Sequence, residues 1–200
     1  MGNFQLDSTW GTSAVFSPDR KSFVFEDEGT IQVWNVNTGE PDGESMEGHT
    51  IENNRLSSSP DGQYLASGLS DRTIMIWDIN KRRAKAEPFR KHAKGVEALE
   101  FSPNRNNIVP NSGDGSILVW SVPTGEVLRK IQCKGGVNPA KYSSNGLFIL
   151  AGGQWWMRTW DVADDTTAPK VCPAADSSRQ HHGMAASDYG MCSPLNSSKS

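Results

Sequence analysis

Trp34, Trp77, Trp120 and Trp160 recur at spacings of 43, 43 and 40 residues, each within a near-identical phrase. The phrases are EGTIQVWN (28–35), DRTIMIWD (71–78), DGSILVWS (114–121) and QWWMRTWD (154–161). Upstream of each stands a second phrase: SPDR (17–20), SPDG (59–62), SPNR (102–105) and SSNG (143–146). Two anchors recurring together mean that the chain is assembled from copies of one supersecondary unit. A single copy cannot bury its own apolar face, so the copies must stack on one another.

The second copy shows how a unit is built. Arg55–Ser58 reads as a first strand, and 59–62 as a turn in which Pro60 fixes φ and Gly62 accepts a positive φ. Tyr64–Gly68 is the second strand, 70–72 the next turn and 73–77 the third strand, where Ile74 and Ile76 alternate with Thr73, Met75 and Trp77. Residues 86–90 supply an outer strand, which tolerates Pro88 because an edge need not donate every hydrogen bond.

With these motifs the sequence resembles the WD-repeat family over residues 4–162. The resemblance implies an all-β, β-propeller-like fold of four antiparallel four-stranded blades, in repeats 4–47, 48–90, 91–132 and 133–163. Residues 1–163 form this unit. Residues 164–200 are rich in Ser, Ala and Pro, lack Ile, Phe and Trp, and are expected to be disordered. Phe4-Gln5-Leu6 precedes Asp7 as Met46 precedes His49, so the first residues read as an outer strand and the fourth repeat as three strands. Propellers of this family usually close with seven blades. Three readings follow: part of a larger ring, two copies sharing one ring, or a small four-bladed ring. An open arc is expected over the closed small ring, with apolar lateral faces on the first and fourth blades.

The resemblance also implies a hydrogen-bonded side-chain tetrad, here His49, Ser67, Asp71 and Trp77, that satisfies buried polar groups. His92, Asp114 and Trp120 keep three of its members, with Pro110 in place of Ser67. Counting back from Trp34 and Trp160 gives Asp7, Val24 and Glu28 in the first repeat and Cys133, Leu150 and Gln154 in the fourth. The offset from His49 to Asp71 recurs between His92 and Asp114, which marks a structural feature of the repeat rather than one catalytic dyad.

Chemistry is otherwise sparse. The sequence has no Gly-x-Ser-x-Gly, no Gly-x-x-x-x-Gly-Lys and no His-Glu-x-x-His, so neither catalysis nor a cofactor is expected. Cys172, His181, His182 and Cys192 fit no structural zinc spacing, and no metal is expected. Mean hydropathy of −0.56 leaves no membrane span. A net charge of −3 argues against a broad nucleic-acid-binding face. The N-terminus has no basic and apolar leader, Leu6 stands where myristoylation expects Ser or Thr, and the cysteine count is odd. A cytoplasmic or nuclear, non-secreted protein is expected.

Function is therefore sought on exposed loops held by the strands. Loops entering first strands offer Trp10, Asn53, Asn54, Lys94 and Lys134; turns between second and third strands offer Asp27, Ser70, Gly113 and Trp155. Trp10, Asn53, Lys94, Lys134 and Trp155 are the expected partner contacts, since aromatic and long basic side chains serve as interface anchors. Lys81-Arg82-Arg83-Ala84-Lys85 reads as a solvated hairpin tip, with phosphate contact as the sharper alternative. The Trp-Asp-x-Arg phrase of ubiquitin-ligase receptors is absent, because Asn80 and Ala163 replace the Arg. The expected role is a non-catalytic protein-interaction scaffold or adaptor, with other proteins as partners and self-association through open blade faces as a further option. The alternatives are a non-catalytic subunit of an RNA- or chromatin-processing assembly, or a detached sensor module of a larger signalling ATPase.

Overall fold

The computed structural model describes residues 13–27, 29–48, 55–133, 136–137, 139–153, 156–163, 170–172 and 193–194. The strands there form four antiparallel sheets in chain order, with no helix among the described residues. The first sheet is β1 (Ser13–Phe16), β2 (Ser22–Asp27), β3 (Thr30–Asn35) and β4 (Met46–Glu47). The second holds β5 (Arg55–Ser58), β6 (Tyr64–Gly68), β7 (Thr73–Asp78), β8 (Arg83–Ala84) and β9 (Phe89–Arg90). The third comprises β10 (Val96–Ala98), β11 (Asn107–Ile108), β12 (Asn111–Ser112), β13 (Ser116–Ser121) and β14 (Val127–Gln132). The fourth is β15 (Lys141–Tyr142), β16 (Phe148–Gly152), β17 (Met157–Asp161) and β18 (Lys170–Cys172); β19 (Ser193–Pro194) pairs with β14.

One turn, built four times, joins the first strand to the second. Ser59 Oγ donates to Asp61 Oδ1 at 2.6 Å and accepts the Tyr64 amide at 2.9 Å. Ser17, Ser102 and Ser143 repeat both bonds with Asp19, Asn104 and Asn145. The fourth turn residue needs a left-handed backbone. Gly62 and Gly146 adopt it freely, whereas Arg20 and Arg105 are held there at φ 59°.

Two expectations are corrected. The outer strand of the second sheet is not one run over 86–90 but the two pieces β8 and β9, both paired with β7, because Pro88 cannot donate to the ladder. Pro110 interrupts the second strand of the third sheet between β11 and β12 in the same way. In addition, β18 and β19 fall inside 164–200, the stretch expected to be disordered, and β18 gives the fourth sheet an outer strand. Cys133 is disulfide-bonded.

The core lies between sheets. In the second, third and fourth sheets the face bearing the repeat Trp covers the preceding sheet, and in the first three an aliphatic face receives the following one. Leu65, Met75 and Trp77 of the second sheet cluster with Val24, Ile31 and Val33 of the first. Phe101, Ile108, Leu118 and Trp120 of the third meet Ala66, Ile74 and Ile76 of the second. Ile149, Ala151 and Trp160 of the fourth meet Val109, Ile117 and Val119 of the third. Among the described residues no strand of the fourth sheet packs against the first, so the blades form an open arc. The Trp face of the first blade and the aliphatic face of the fourth carry the exposed Phe16, Leu150 and Met157.

The register makes Phe16 and Phe101 equivalent, since Phe16 pairs with Phe23 across from Trp34 and Phe101 bridges Ile108 across from Trp120. Phe101 is 4% exposed and Phe16 is 62% exposed. Phe101→Ala should therefore lower stability by about 3–5 kcal/mol and Phe16→Ala by less than about 1 kcal/mol in denaturant unfolding of dilute protein. Similar losses at both positions would place a covered face on the first blade.

Candidate functional site

The side-chain network comes first, because it fixes the turns that line the upper end of the blades. Trp77 Nε1 donates to Ser67 Oγ at 2.7 Å, both fully buried. Asp71 accepts the Thr73 amide at 2.8 Å and the Thr73 hydroxyl at 2.5 Å, closing its turn. His49 lies outside the described residues. In the third blade Asp114 accepts the amides of Ala93 and Ser116, at 2.7 and 2.8 Å, and the Ser116 hydroxyl. That hydroxyl has only one proton, which goes to the carboxylate, so at 3.0 Å the His92 Nδ1–H donates to Ser116 Oγ.

Pro110 occupies the place of Ser67 and offers no hydroxyl. Trp120 Nε1 accordingly has no hydrogen-bond partner among the described residues. Two positions in this alignment are corrected by register. Trp77 lies opposite Leu65, but Trp34 lies opposite Phe23 and Trp160 opposite Ile149, because the second hairpin is one residue shorter in those blades. Phe25 and Ala151, not Val24 and Leu150, therefore take the place of Ser67, a one-residue slip that exchanges the sheet faces. Ala151 cannot accept from Trp160, whose Nε1 is also unpaired among the described residues.

A cleft of about 410 Å³ opens at this end between the second and third blades, lined by Arg55, Ser70, Lys94, Gly95, Val96, Glu97 and Gly113. Its seam is closed by backbone and guanidinium bonds. The Val96 amide donates to Leu69 O at 2.9 Å, and Arg55 Nε donates to Glu97 O at 2.9 Å. Two glycines permit the close approach. A Cβ on Gly95 would stand 3.0 Å from Ser70 Cα, and one on Gly113 would stand 2.7 Å from Glu97 Oε1. The Ser112 hydroxyl holds the loop below by donating to Lys94 O at 2.9 Å.

Arg55, Lys94 and Glu97 are exposed around the cleft. The arrangement presents two cations, one anion and backbone polar groups on a rigid floor, which suits recognition of a polar or acidic segment. The structure thus brings Lys94, Ser70 and Gly113 together. Trp10, Asn53, Asn54, Lys134 and Trp155 lie outside the described residues. Sequence reasoning missed Arg55 and Glu97; Arg55 opens β5 and Glu97 is the central residue of β10, each close to positions already chosen for their loops.

The family model for the nucleolar protein 10-like N-terminal domain, a β-propeller, matches residues 11–182. The chain belongs to this family. That agrees with the WD-repeat resemblance and with the stacked antiparallel sheets. No curated protein matches the chain. In this nucleolar protein 10-like domain, the match runs past the fourth repeat Trp and takes in β18, as the strand pairing does.

Two outcomes follow from the network. Ser67→Ala leaves the buried Trp77 indole without its 2.7 Å acceptor and should cost about 1–3 kcal/mol, read from denaturant midpoints; an unchanged midpoint would contradict the bond. Burial holds the His92 imidazole below its ordinary value of 6.5, against a smaller opposing pull from Asp114. The unfolded chain then binds the proton first, so this contribution is present above 6.5 and is lost as the pH falls below it. For Asp114, burial works to raise the carboxyl, but the bonds from Ser116 and the Ala93 amide outweigh it and hold it low, so its contribution is lost only at pH below 3.8. The melting temperature should drop between neutral pH and about pH 5.5, less steeply in His92→Gln. Parallel profiles would show that His92 does not carry the effect.

Proposed function

We propose that this chain is a non-catalytic protein-interaction module acting in a nucleolar or other nuclear assembly. The observation that carries the reading is the cleft between the second and third blades, where Lys94, Arg55 and Glu97 stand exposed on a floor fixed by Gly95 and Gly113. Rigid strands with exposed charged loops are the usual way a propeller recognises a partner. The nucleolar name of the family supports an assembly of that compartment, reached through protein contacts. The partner's contacting segment carries acidic side chains that meet Lys94 and Arg55. Trp10, Asn53, Lys134 and Trp155 extend the same recognition surface in this reading.

Direct RNA contact through residues 81–85 is disfavoured by what those side chains already do. Lys81 pairs with Asp78 at 3.0 Å and Arg82 with Asp42 at 3.3 Å. Lys85 Nζ sits 4.6 Å over the Tyr64 ring. Such engaged side chains have less to give to a phosphate backbone.

Lys94→Glu should weaken capture of nuclear protein partners by about tenfold or more while leaving the far-ultraviolet spectrum unchanged. An unaltered partner set would overturn the assignment of the cleft. Replacing Lys81, Arg83 and Lys85 together by Ser should leave salt-dependent RNA retention unchanged; a clear loss would favour the RNA-contact reading.

A further inference from the structure

One seam between blades departs from the other two. Strand register sets Phe101 of the third blade and Tyr142 of the fourth in the same place, across from Ile108 and Ile149 and then Trp120 and Trp160. Each ring packs into the seam with the preceding blade. The same path in the second blade runs from Trp77 through Leu65 to Ser58. The first seam therefore lacks the aromatic ring that the other two contain.

A pocket of about 420 Å³ stands there, at the end of the blades opposite the Lys94 cleft. Ser58 lines it together with Val24, Val33, Leu65 and Ile79. Ile79 is partly exposed, whereas Val122, which makes the same backbone bond in the third blade, is 5% exposed. A second departure sits at the same pocket. Arg82 comes five residues after its repeat Trp, where the first and third blades have Gly39 and Gly125. All three adopt a left-handed backbone, which costs an Arg more than a Gly. From that position the Arg82 side chain crosses to Asp42 on the first blade, at 3.3 Å. Residues that break the rule of their own repeat, gathered at one cavity, mark a place kept for more than packing.

Carboxylates dominate the lining, with Asp19, Asp42 and Asp61 set against the guanidinium of Arg82. Asp42 pairs with Arg82, and Asp61 with Arg105. Among the described residues Asp19 is bonded only within its own turn, by the Ser17 hydroxyl and the Lys21 amide.

We propose that this pocket binds a partner peptide through an aromatic side chain flanked by a basic one. The ring takes the place that Phe101 and Tyr142 hold in the other seams, against Leu65 and Ile79 and beside the Arg82 guanidinium. The basic neighbour meets Asp19 at the rim. The site is separate from the Lys94 cleft and does not depend on it.

Fluorescence anisotropy of labelled peptides, Gly-Ser-Lys-X-Lys-Ser-Gly with Phe, Tyr or Trp at X, tests this on the 200-residue chain. At least one should bind with a Kd below about 1 mM, and Ala at X should weaken it about tenfold or more. Replacing both Lys of the peptide by Glu, or Asp19→Asn in the protein, should weaken binding about threefold or more. Ser58→Phe supplies the missing ring from within. It should abolish binding while the melting temperature stays level or rises, as filling a cavity does. Lys94→Glu should leave the peptide bound. No binding by any of the aromatic peptides would overturn the proposal. So would binding that survives Ser58→Phe, or a melting temperature lowered by that change, since the ring would then not fit the pocket. Equal affinity for the Lys and Glu peptides would overturn the stated partner chemistry. Loss of binding in Lys94→Glu would overturn the placement of the site.

Discussion

Each blade of this arc divides its side chains between a Trp-bearing face and an aliphatic one, and the structure depends on pressing the first onto the second. A strand with a period of two can do this with very little sequence. Trp77, Trp120 and Trp160 are each at most 1% exposed, and each covers the blade before it. The indoles bring large apolar areas to these seams. The Phe89 ring lies 4.8 Å from that of Trp120 across the second seam. No blade has a core of its own, so the order of the copies along the chain becomes the order of packing in space.

Polar groups secure what the apolar faces bring together. The Ser-x-Asp or Ser-x-Asn turn recurs in all four blades with nearly the same distances. Bonds between blades then set their relative height: Arg55 to Glu97 O, the Tyr142 amide to Glu100, and Arg105 to Asp61. At one end these bonds also shape the cleft around Lys94, so the feature proposed to bind a partner is a by-product of how two blades are tied. The tetrad is more dispensable: Trp120 and Trp160 are buried without the serine that Trp77 uses.

The repeat, the first three strands of the second blade and the position of the turns were legible from the sequence, because Trp phrases and Ser-Pro-Asp-Gly turns carry strong local chemistry. The one-residue shortening of the hairpin in the first and fourth blades was not. Counting back from Trp34 and Trp160 gave Val24 and Leu150, while hydrogen-bond register gives Phe25 and Ala151. The breaks at Pro88 and Pro110 depend on which amides face a neighbouring strand, a fact of pairing rather than of composition. β18 hid in a polar stretch because an outer strand need bury little apolar surface. Arg55 and Glu97 were missed since their meeting depends on two blades coming side by side, 42 residues apart in the chain. Lys94 was found because its loop alone already marked it.

A double-mutant cycle on Phe89 and Trp120 tests the packing of one blade on the next most directly. Phe89 belongs to the second sheet and Trp120 to the third, so their coupling exists only if the seam does. The account predicts that the paired substitution to Ala departs from additivity by about 0.5–1.5 kcal/mol, in the sense of a favourable interaction. Losses that add within about 0.3 kcal/mol would mean that the two blades do not meet through these faces, and would contradict it.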